Sequence, residues 1–228
     1  MTTGGCPPGR GEVVRAHYDF ADGDLGWKAL FSDFAPDMTE SMELEAGVRH
    51  LPPELGRPET GYYIQSHNRS DDVFMLLYRH LGVRDGVSPG ATYIVRFRIT
   101  MASDAPAGCS GIGGAPAEAV TLKVGAAHHE PRVVIDDRTG LFRVTIDKGN
   151  QAEGGKEMSV AGDIANGADP SQCNAHRFRT FTRTHQHPTP VTATATGDLW
   201  LLVGTDSGYE GLTRLYYERI DVELERTR

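Results

Sequence analysis

Nowhere in this sequence does an apolar run approach the roughly 18–20 residues that a membrane-spanning helix needs. The opening stretch MTTGGCPPGRGE lacks the apolar segment of a signal peptide. The chain therefore reads either as a cytoplasmic protein or as one whose leader has been removed. Positive charge is also in short supply. Twenty-three Lys and Arg stand against 31 Asp and Glu, a formal net charge of −8, and the basic residues are scattered. A nucleic-acid partner needs a basic face to neutralise phosphates, so the composition argues against that class. Helical periodicity is missing as well. Only SDDVFMLLYRHL, residues 70–81, fits a short helix as well as a strand. There is no GxSxG elbow, no P-loop, no dinucleotide fingerprint and no HExxH. GIGGAP has the glycines of a phosphate loop without a following helix.

Cysteine is scarce and odd in number: Cys6, Cys109 and Cys173. Cys109 and Cys173 both lie in Gly/Pro/Asn-rich loops, PAGCSGIGG and PSQCNAH. A disulfide between them in an oxidising compartment and a pair of free thiols are both open on this basis.

What the sequence does contain is short strand-like alternation. The runs are EVVRAHYDF, YYIQSH, VFMLLYRHL, TYIVRFRITMA, AVTLKVGAA, PRVVID, LFRVTID, RFRTFTRTH, TPVTATAT, LWLLVGT and LYYERIDVELE. In TYIVRFRIT, Tyr93, Val95, Phe97 and Ile99 point one way and Arg96 and Arg98 the other, with Ile94 the exception. Period two with one wet face marks an antiparallel sheet. Turn signals such as GVSPGAT, DDRTG and TDSGYEG punctuate the runs. About ten strands in one chain of this length read as an all-β, single-domain, antiparallel two-sheet sandwich of jelly-roll type, with a closed barrel as runner-up. Residues 1–11 read as a disordered segment and 12–228 as the domain. The Gly-rich stretch 147–170 reads as a long loop within it.

Three stretches resemble calcium-stabilised, jelly-roll carbohydrate-binding modules of the galactose-binding-like type. YDFADGDLGW resembles their opening strand and turn, GVSPGATYIVRFRI their Pro-Gly-x-x-Tyr turn and strand, and LYYERIDVEL their last strand. These cover some 35 of the 228 residues. The middle of the chain, including HNRSDDVFMLL, CSGIGGAP, IDKGNQAEGGKE, GDIANG and LWLLVGTDSGYEGLTRLYYERI, resembles an uncharacterised family of bacterial, often secreted proteins. That resemblance implies an extracytoplasmic home and no particular activity.

In the carbohydrate-binding modules the first and last strands lie side by side and hold a structural Ca²⁺ between acidic groups and turn carbonyls, oxygen ligands that suit that ion. The resemblance maps this site onto Asp19, Asp22, Asp24 and Glu218, with Asp221 as an alternative. In a regular strand Glu218 and Asp221 face opposite sides, so only one could be a ligand. A solvated acidic turn is the competing reading. Trp27 is expected to pack beneath this clasp.

The oxygen-rich loops supply the candidate ligand site. Asn68, Asp71 and Asp72 in HNRSDDVF offer a hydrogen-bonding platform or a second cation site, or merely an N-cap or Asx turn involving Ser70. Asp147 and Asn150 in IDKGNQAEGGKE, and Asp206, Tyr209 and Glu210 in GTDSGYEG, combine planar polar groups with a ring, as a sugar site requires. A glycan or other hydroxyl-rich small molecule is the expected partner of a non-catalytic binding protein. The alternatives are a glycan hydrolase or lyase drawing on Asp71, Asp72, Asp147, Asp206 and Glu210, and an interaction domain without a small ligand. Among the histidines, His128 and His129 adjoin. His185 and His187 share a strand face and could chelate a transition metal, with His176 or a carboxylate as third ligand, or could be plain polar strand-end residues.

Overall fold

The computed structural model describes residues 12–70 and 72–227. The expectation for residues 1–11, Cys6 and Asp71 lies outside them. Fourteen strands run in order: β1 (Val13–Asp19), β2 (Lys28–Ser32), β3 (Glu45–His50), β4 (Thr60–His67), β5 (Val73–Leu81), β6 (Thr92–Ser103), β7 (Val120–Ala127), β8 (Val133–Ile135), β9 (Phe142–Val144), β10 (Met158–Asp163), β11 (Arg179–Gln186), β12 (Val191–Thr192), β13 (Leu199–Ser207) and β14 (Leu212–Arg226). Among the described residues the only helices are single 3-10 turns, and no helix is long and apolar enough to cross a membrane. The ambiguous run 70–81 is a strand from Val73 onward.

Two antiparallel sheets face each other. The first has the order β11-β6-β14-β4-β3, with β1 also paired to β14 and β12 to β6. The second has the order β10-β7-β13-β5-β2, and β8 and β9 form a separate hairpin. The chain is thus an all-β antiparallel sandwich. The core is built from alternate residues of each sheet, as period-two patterning dictates. Tyr93, Val95, Phe97, Ile99 and Met101 of β6 meet Leu122 and Val124 of β7 and Leu201 and Val203 of β13, all buried. Ile94, Arg96 and Arg98 point outward.

Strand β14 is 15 residues long and changes partner partway: Leu212–Tyr217 pair with β4, and Arg219–Glu225 pair with β1. At the changeover its register against β6 shifts between Tyr217 and Arg219. This is a bulge at Glu218, and it resets the phase of the strand. Thr213, Leu215 and Tyr217 are buried before it; Ile220, Val222 and Leu224 are buried after it. The first and last strands therefore do lie side by side. The expectation that Glu218 and Asp221 face opposite sides assumed an unbroken alternation, and the bulge removes that condition. Glu218, Arg219 and Asp221 all lie off the core.

Trp27 packs beneath the opening turn as expected. Its ring is edge-on to Tyr18 (5.4 Å) and Phe20 (6.3 Å) and is 2% exposed. Strands β2, β3 and β10 were not expected. Strand β10 falls inside the stretch 147–170 read as loop: its backbone pairs with β7 with a register shift between Val160 and Gly162.

Cys109 and Cys173 are bonded to one another, with Cα atoms 5.7 Å apart across 64 residues of chain. Closing a loop of that size restricts the unfolded chain by about 4 kcal/mol in the entropic model. Reduction, or replacement of both cysteines by serine, should lower the melting temperature by several degrees without loss of β structure. Circular dichroism melts with and without reductant check this.

Candidate functional site

The outer face of the five-stranded sheet carries an unusual pair. Lys123 of β7 and Asp206 of β13 both point away from the core, yet neither side chain is exposed at all. They are covered by the segment that follows the β8–β9 hairpin. That hairpin is anchored beside β2 by reciprocal backbone bonds: Asp33 N–H to Phe142 O (2.7 Å) and Phe142 N–H to Phe34 O (2.9 Å). Farther along, Val144, Ile146 and Met158 pack on Phe74, Leu76 and Leu202 of the sheet face. Gly125, beside Lys123 on β7, has the backbone of Glu157 so close that a Cβ would lie 1.9 Å from its carbonyl oxygen. Glycine is required there for the chain to approach.

A closed set of charges sits under this cover. The Lys123 ammonium donates three bonds, to Asp206 Oδ2 (2.7 Å), Glu153 O (2.8 Å) and Lys148 O (2.9 Å). Lys148 Nζ lies 2.7 Å from the same Asp206 Oδ2 and 2.8 Å from Asp33 Oδ2. Arg143 donates to Asp33 Oδ1 (2.8 Å). Burial lowers the pKa of Lys123, partly offset by Asp206. Burial also works against the charge on Lys148, but Asp206 and Asp33 outweigh it and hold its pKa above the ordinary value.

Asp72, just before β5, completes the set. Potential ligand oxygens of Asp33, Asp72 and Asp206 all lie within 4.8 Å of one another. Burial, then the charge of Asp206 and a hydrogen bond to it, push the Asp72 carboxyl up to about 8. Burial and the neighbouring Asp206 thus favour the protonated form of Asp72. Neither Asp72 Oδ1 nor Asp206 Oδ1 has another hydrogen-bond partner.

Two adjoining cavities open above the cluster. One, of about 340 Å³, has a polar wall including Asp33, Asp72, Arg143, Asn150 and Ser70, and an apolar wall of Phe34, Met38 and Leu141. The other, of about 160 Å³, shares Asp33, Arg143 and Asn150 and adds Asp147 and Lys148. The expected ligand residues divide accordingly. Asp72, Asp147 and Asn150 line the cleft, with Asp206 buried beneath it. Asp147 mainly shapes the loop, its carboxylate accepting from the N–H groups of Gly149 (3.2 Å) and Lys156 (3.0 Å).

The others lie elsewhere. Asn68 is buried and straps two loops together, donating to Ser207 O and Tyr209 O (both 3.0 Å), while its Oδ1 accepts from Ser70 N in an Asx turn. Tyr209 lines a separate cavity of about 300 Å³ beside the disulfide, together with His176. Glu210 bonds through its backbone to Ile112. His185 Nε2 and His187 Nδ1 share the hydroxyl of Ser159 at 2.9 and 2.8 Å, joining the open edges of the two sheets.

Lys123, Asp33 and Arg143 were missing from the expected residues, whereas Lys148 belongs to the oxygen-rich loop IDKGNQAEGGKE. A lysine in AVTLKVGAA on a face otherwise made of Thr, Gly and Ala was the available signal, since small residues on the second face mean that face is covered too.

Of the residues expected to hold calcium, Asp19 and Glu218 line one cavity of about 430 Å³, together with Arg57 and Thr180. Among the described residues, Asp19, Asp22, Asp24 and Glu218 form no group of three neighbouring ligand atoms. Asp19 accepts from Ala21 N (3.0 Å) and Asp24 from Gly26 N (2.8 Å). Glu218 binds Arg57 (2.7 Å) and the Thr180 hydroxyl (2.6 Å). Such a donor set does not fit an ion that takes six to eight oxygens. Calcium at Glu218 would have to displace Arg57.

No family model matches the chain, and no curated protein matches it. Solved structures with a similar course of chain include a family 61 carbohydrate-binding module in complex with β-1,4-galactotriose (11% identity, 92% of this chain, 94% of that one, TM-score 0.36). Another is a xylan-binding domain of family 22 (16% identity, 97% and 99% covered, TM-score 0.40). A third is a Stig cyclase from Fischerella sp. (13% identity, 93% and 90% covered, TM-score 0.36). A sugar binder and a cyclase at equal distance carry no function over to this chain.

Two outcomes are expected from the cluster and the clasp. A carboxyl whose pKa is raised on folding stabilises the fold most at low pH, and that contribution is lost as pH rises from about 4 to about 8. Asp72→Asn, which keeps a donor toward Asp206 but cannot titrate, should flatten the fall in melting temperature expected of the parent between pH 5 and pH 8. At the clasp, melting in EDTA and in millimolar calcium should coincide, whereas Arg57→Ala should melt lower in both buffers.

Proposed function

We propose that this protein is a non-catalytic binder of a glycan or similar hydroxyl-rich ligand, held in the cleft above Asp33, Asp72 and Arg143. The observation that carries the reading is the two-sided lining of that cleft. A sugar ring has an edge of hydroxyls and an apolar face. Arg143 and Asn150 offer planar donors and Ser70 an acceptor opposite Phe34, Met38 and Leu141, with Asp33 fixing Arg143 from beneath. Arg143 keeps guanidinium donors beyond its bond to Asp33 and is about one-third exposed (36%). The buried ion pairs beneath hold these groups in place before a ligand arrives, which lowers the ordering cost of binding. The Cys109–Cys173 disulfide supports an oxidising, extracytoplasmic setting.

One observation favours a second reading, a glycan hydrolase or lyase: Asp72 keeps a proton near neutral pH beside the cleft, as a general acid must. Hydrolysis also needs a second carboxylate, reaching substrate or water roughly 5–9.5 Å away. Asp206 is wholly buried, and Asp33 is held by Arg143 and Lys148. Both crowd Asp72 within 4.8 Å. The geometry supports binding better than turnover.

A glycan array followed by calorimetry tests both readings. Binding should weaken about tenfold or more in Asn150→Ala and Arg143→Ala, the scale of a lost hydrogen bond to a charged or planar donor. It should survive Trp200→Ala, which alters the strip of Trp200, His80 and Tyr78 at the far end of the same sheet face. Loss in Trp200→Ala alone would move the site to that strip. New reducing ends in the bound polysaccharide would replace binding by hydrolysis.

A further inference from the structure

The end of β7 and the start of β10 meet at the sheet edge, because Met158 pairs with Gly125. There His128 and His129, directly after β7, come together with Glu157, directly before β10. Ligand atoms from all three lie within 4.8 Å of one another. The two rings are 5.0 Å apart, centre to centre.

The hydrogen bonds around this trio leave a specific gap. His129 Nε2 lies 3.3 Å from the carbonyl oxygen of Thr145. A carbonyl can only accept, so that nitrogen carries the proton. In the neutral ring the lone pair is then on Nδ1, and Nδ1 faces Glu157 Oε1 at 3.5 Å. Glu157 Oε2 is already occupied, accepting from Asp147 N–H at 2.7 Å. Two acceptors, each fixed by an outer bond, are therefore aimed at one another, and a third ligand atom stands beside them. An imidazole that donates its far N–H to a backbone carbonyl, and a carboxylate whose far oxygen is hydrogen-bonded, are arranged as metal ligands usually are. Two imidazoles and one carboxylate suit a zinc-class divalent ion and leave a fourth position open.

His128 and Glu157 border a cavity of about 390 Å³, lined also by Lys156, His187 and Thr189. His187 cannot join the ligands, since Nδ1 is on Ser159 and Nε2 is 3.1 Å from Lys156 O. We infer that His128, His129 and Glu157 form a three-ligand site for a zinc-class divalent cation, with its open coordination position turned toward that cavity. The site is separate from the proposed glycan cleft and does not depend on it.

The experiment uses untagged full-length protein stripped with a chelator and then dialysed. Calorimetric titration with Zn²⁺ should give one site. His129→Ala, His128→Ala and Glu157→Gln should each weaken it by about tenfold or more, the scale typical of lost metal-site groups. Ca²⁺ should give no heat at this site. Substitution with Co²⁺ should give the visible absorption of a four-coordinate ion, lost in His129→Ala. His128 is exposed, so His128→Ala should melt with the parent when no metal is present. Absence of zinc uptake by the parent would overturn the inference and leave His129 and Glu157 as an ion pair. Uptake undiminished in all three variants would overturn it equally, by placing the ion elsewhere.

Discussion

One oxygen organises this sandwich beyond its core. Asp206 Oδ2 accepts from two ammonium groups, Lys123 on the neighbouring strand and Lys148 on the covering segment. Stripping water from such ions costs several kcal/mol each, and their attraction offsets this only when the geometry is good and every remaining proton has a partner. Lys123 meets that condition, with all three of its protons engaged. Two of its acceptors, the carbonyls of Lys148 and Glu153, belong to the covering segment itself. The ion pair therefore closes only if that segment lies down on the sheet. Removing either partner would strand a buried charge, typically at 3–5 kcal/mol.

The covering segment then determines where chemistry is available. Between Phe142 and Met158 it supplies Arg143 and Asn150 to the cleft, and Thr145, Asp147 and Glu157 to the histidine pair at the sheet edge. Asp147 ties these two regions. Its carboxylate holds the loop through Gly149 and Lys156, and its N–H holds Glu157. One end of a sheet face is covered by a charged layer; the strip bearing Tyr78, Trp200 and His80 is less deeply buried. A site built over such a layer is positioned by the fold rather than by the ligand.

The strands were legible wherever one face is wet. In β6 the arginines alternate with Tyr93, Val95, Phe97 and Ile99, and the structure follows that pattern residue by residue. Strands β2 and β3 are short and β10 is Gly-interrupted, and their pairing depends on distant partners that local pattern does not reveal. In the site, Asp72 and Asp206 were legible as carboxylates in oxygen-rich loops. Their counter-ions were not: Lys123 sits inside a strand buried along its whole length, and its role exists only once a segment some 25 residues later folds over it. Asp33 adopts a left-handed backbone (φ 75°) in a stretch with no motif, and its role likewise comes from tertiary contact.

The terminal clasp shows how a sequence pattern can place two strands correctly while the partners of their carboxylates come from elsewhere in the chain. The acidic residues of HYDFADGDLGW and LYYERIDVELE do belong to paired first and last strands. Yet the apolar positions of the last strand, Leu215, Tyr217, Ile220, Val222 and Leu224, slip from odd to even numbers between Tyr217 and Ile220. A slip of one residue is the mark of a bulge. It falls at Glu218, where β14 leaves β4 for β1, and it turns that carboxylate toward Arg57 and Thr180. A guanidinium from the chain thus bonds the carboxylate that the resemblance assigned to a metal ion. Because a tethered cation needs no free ligand concentration to stay in place, the junction of the two ends is part of the fold itself.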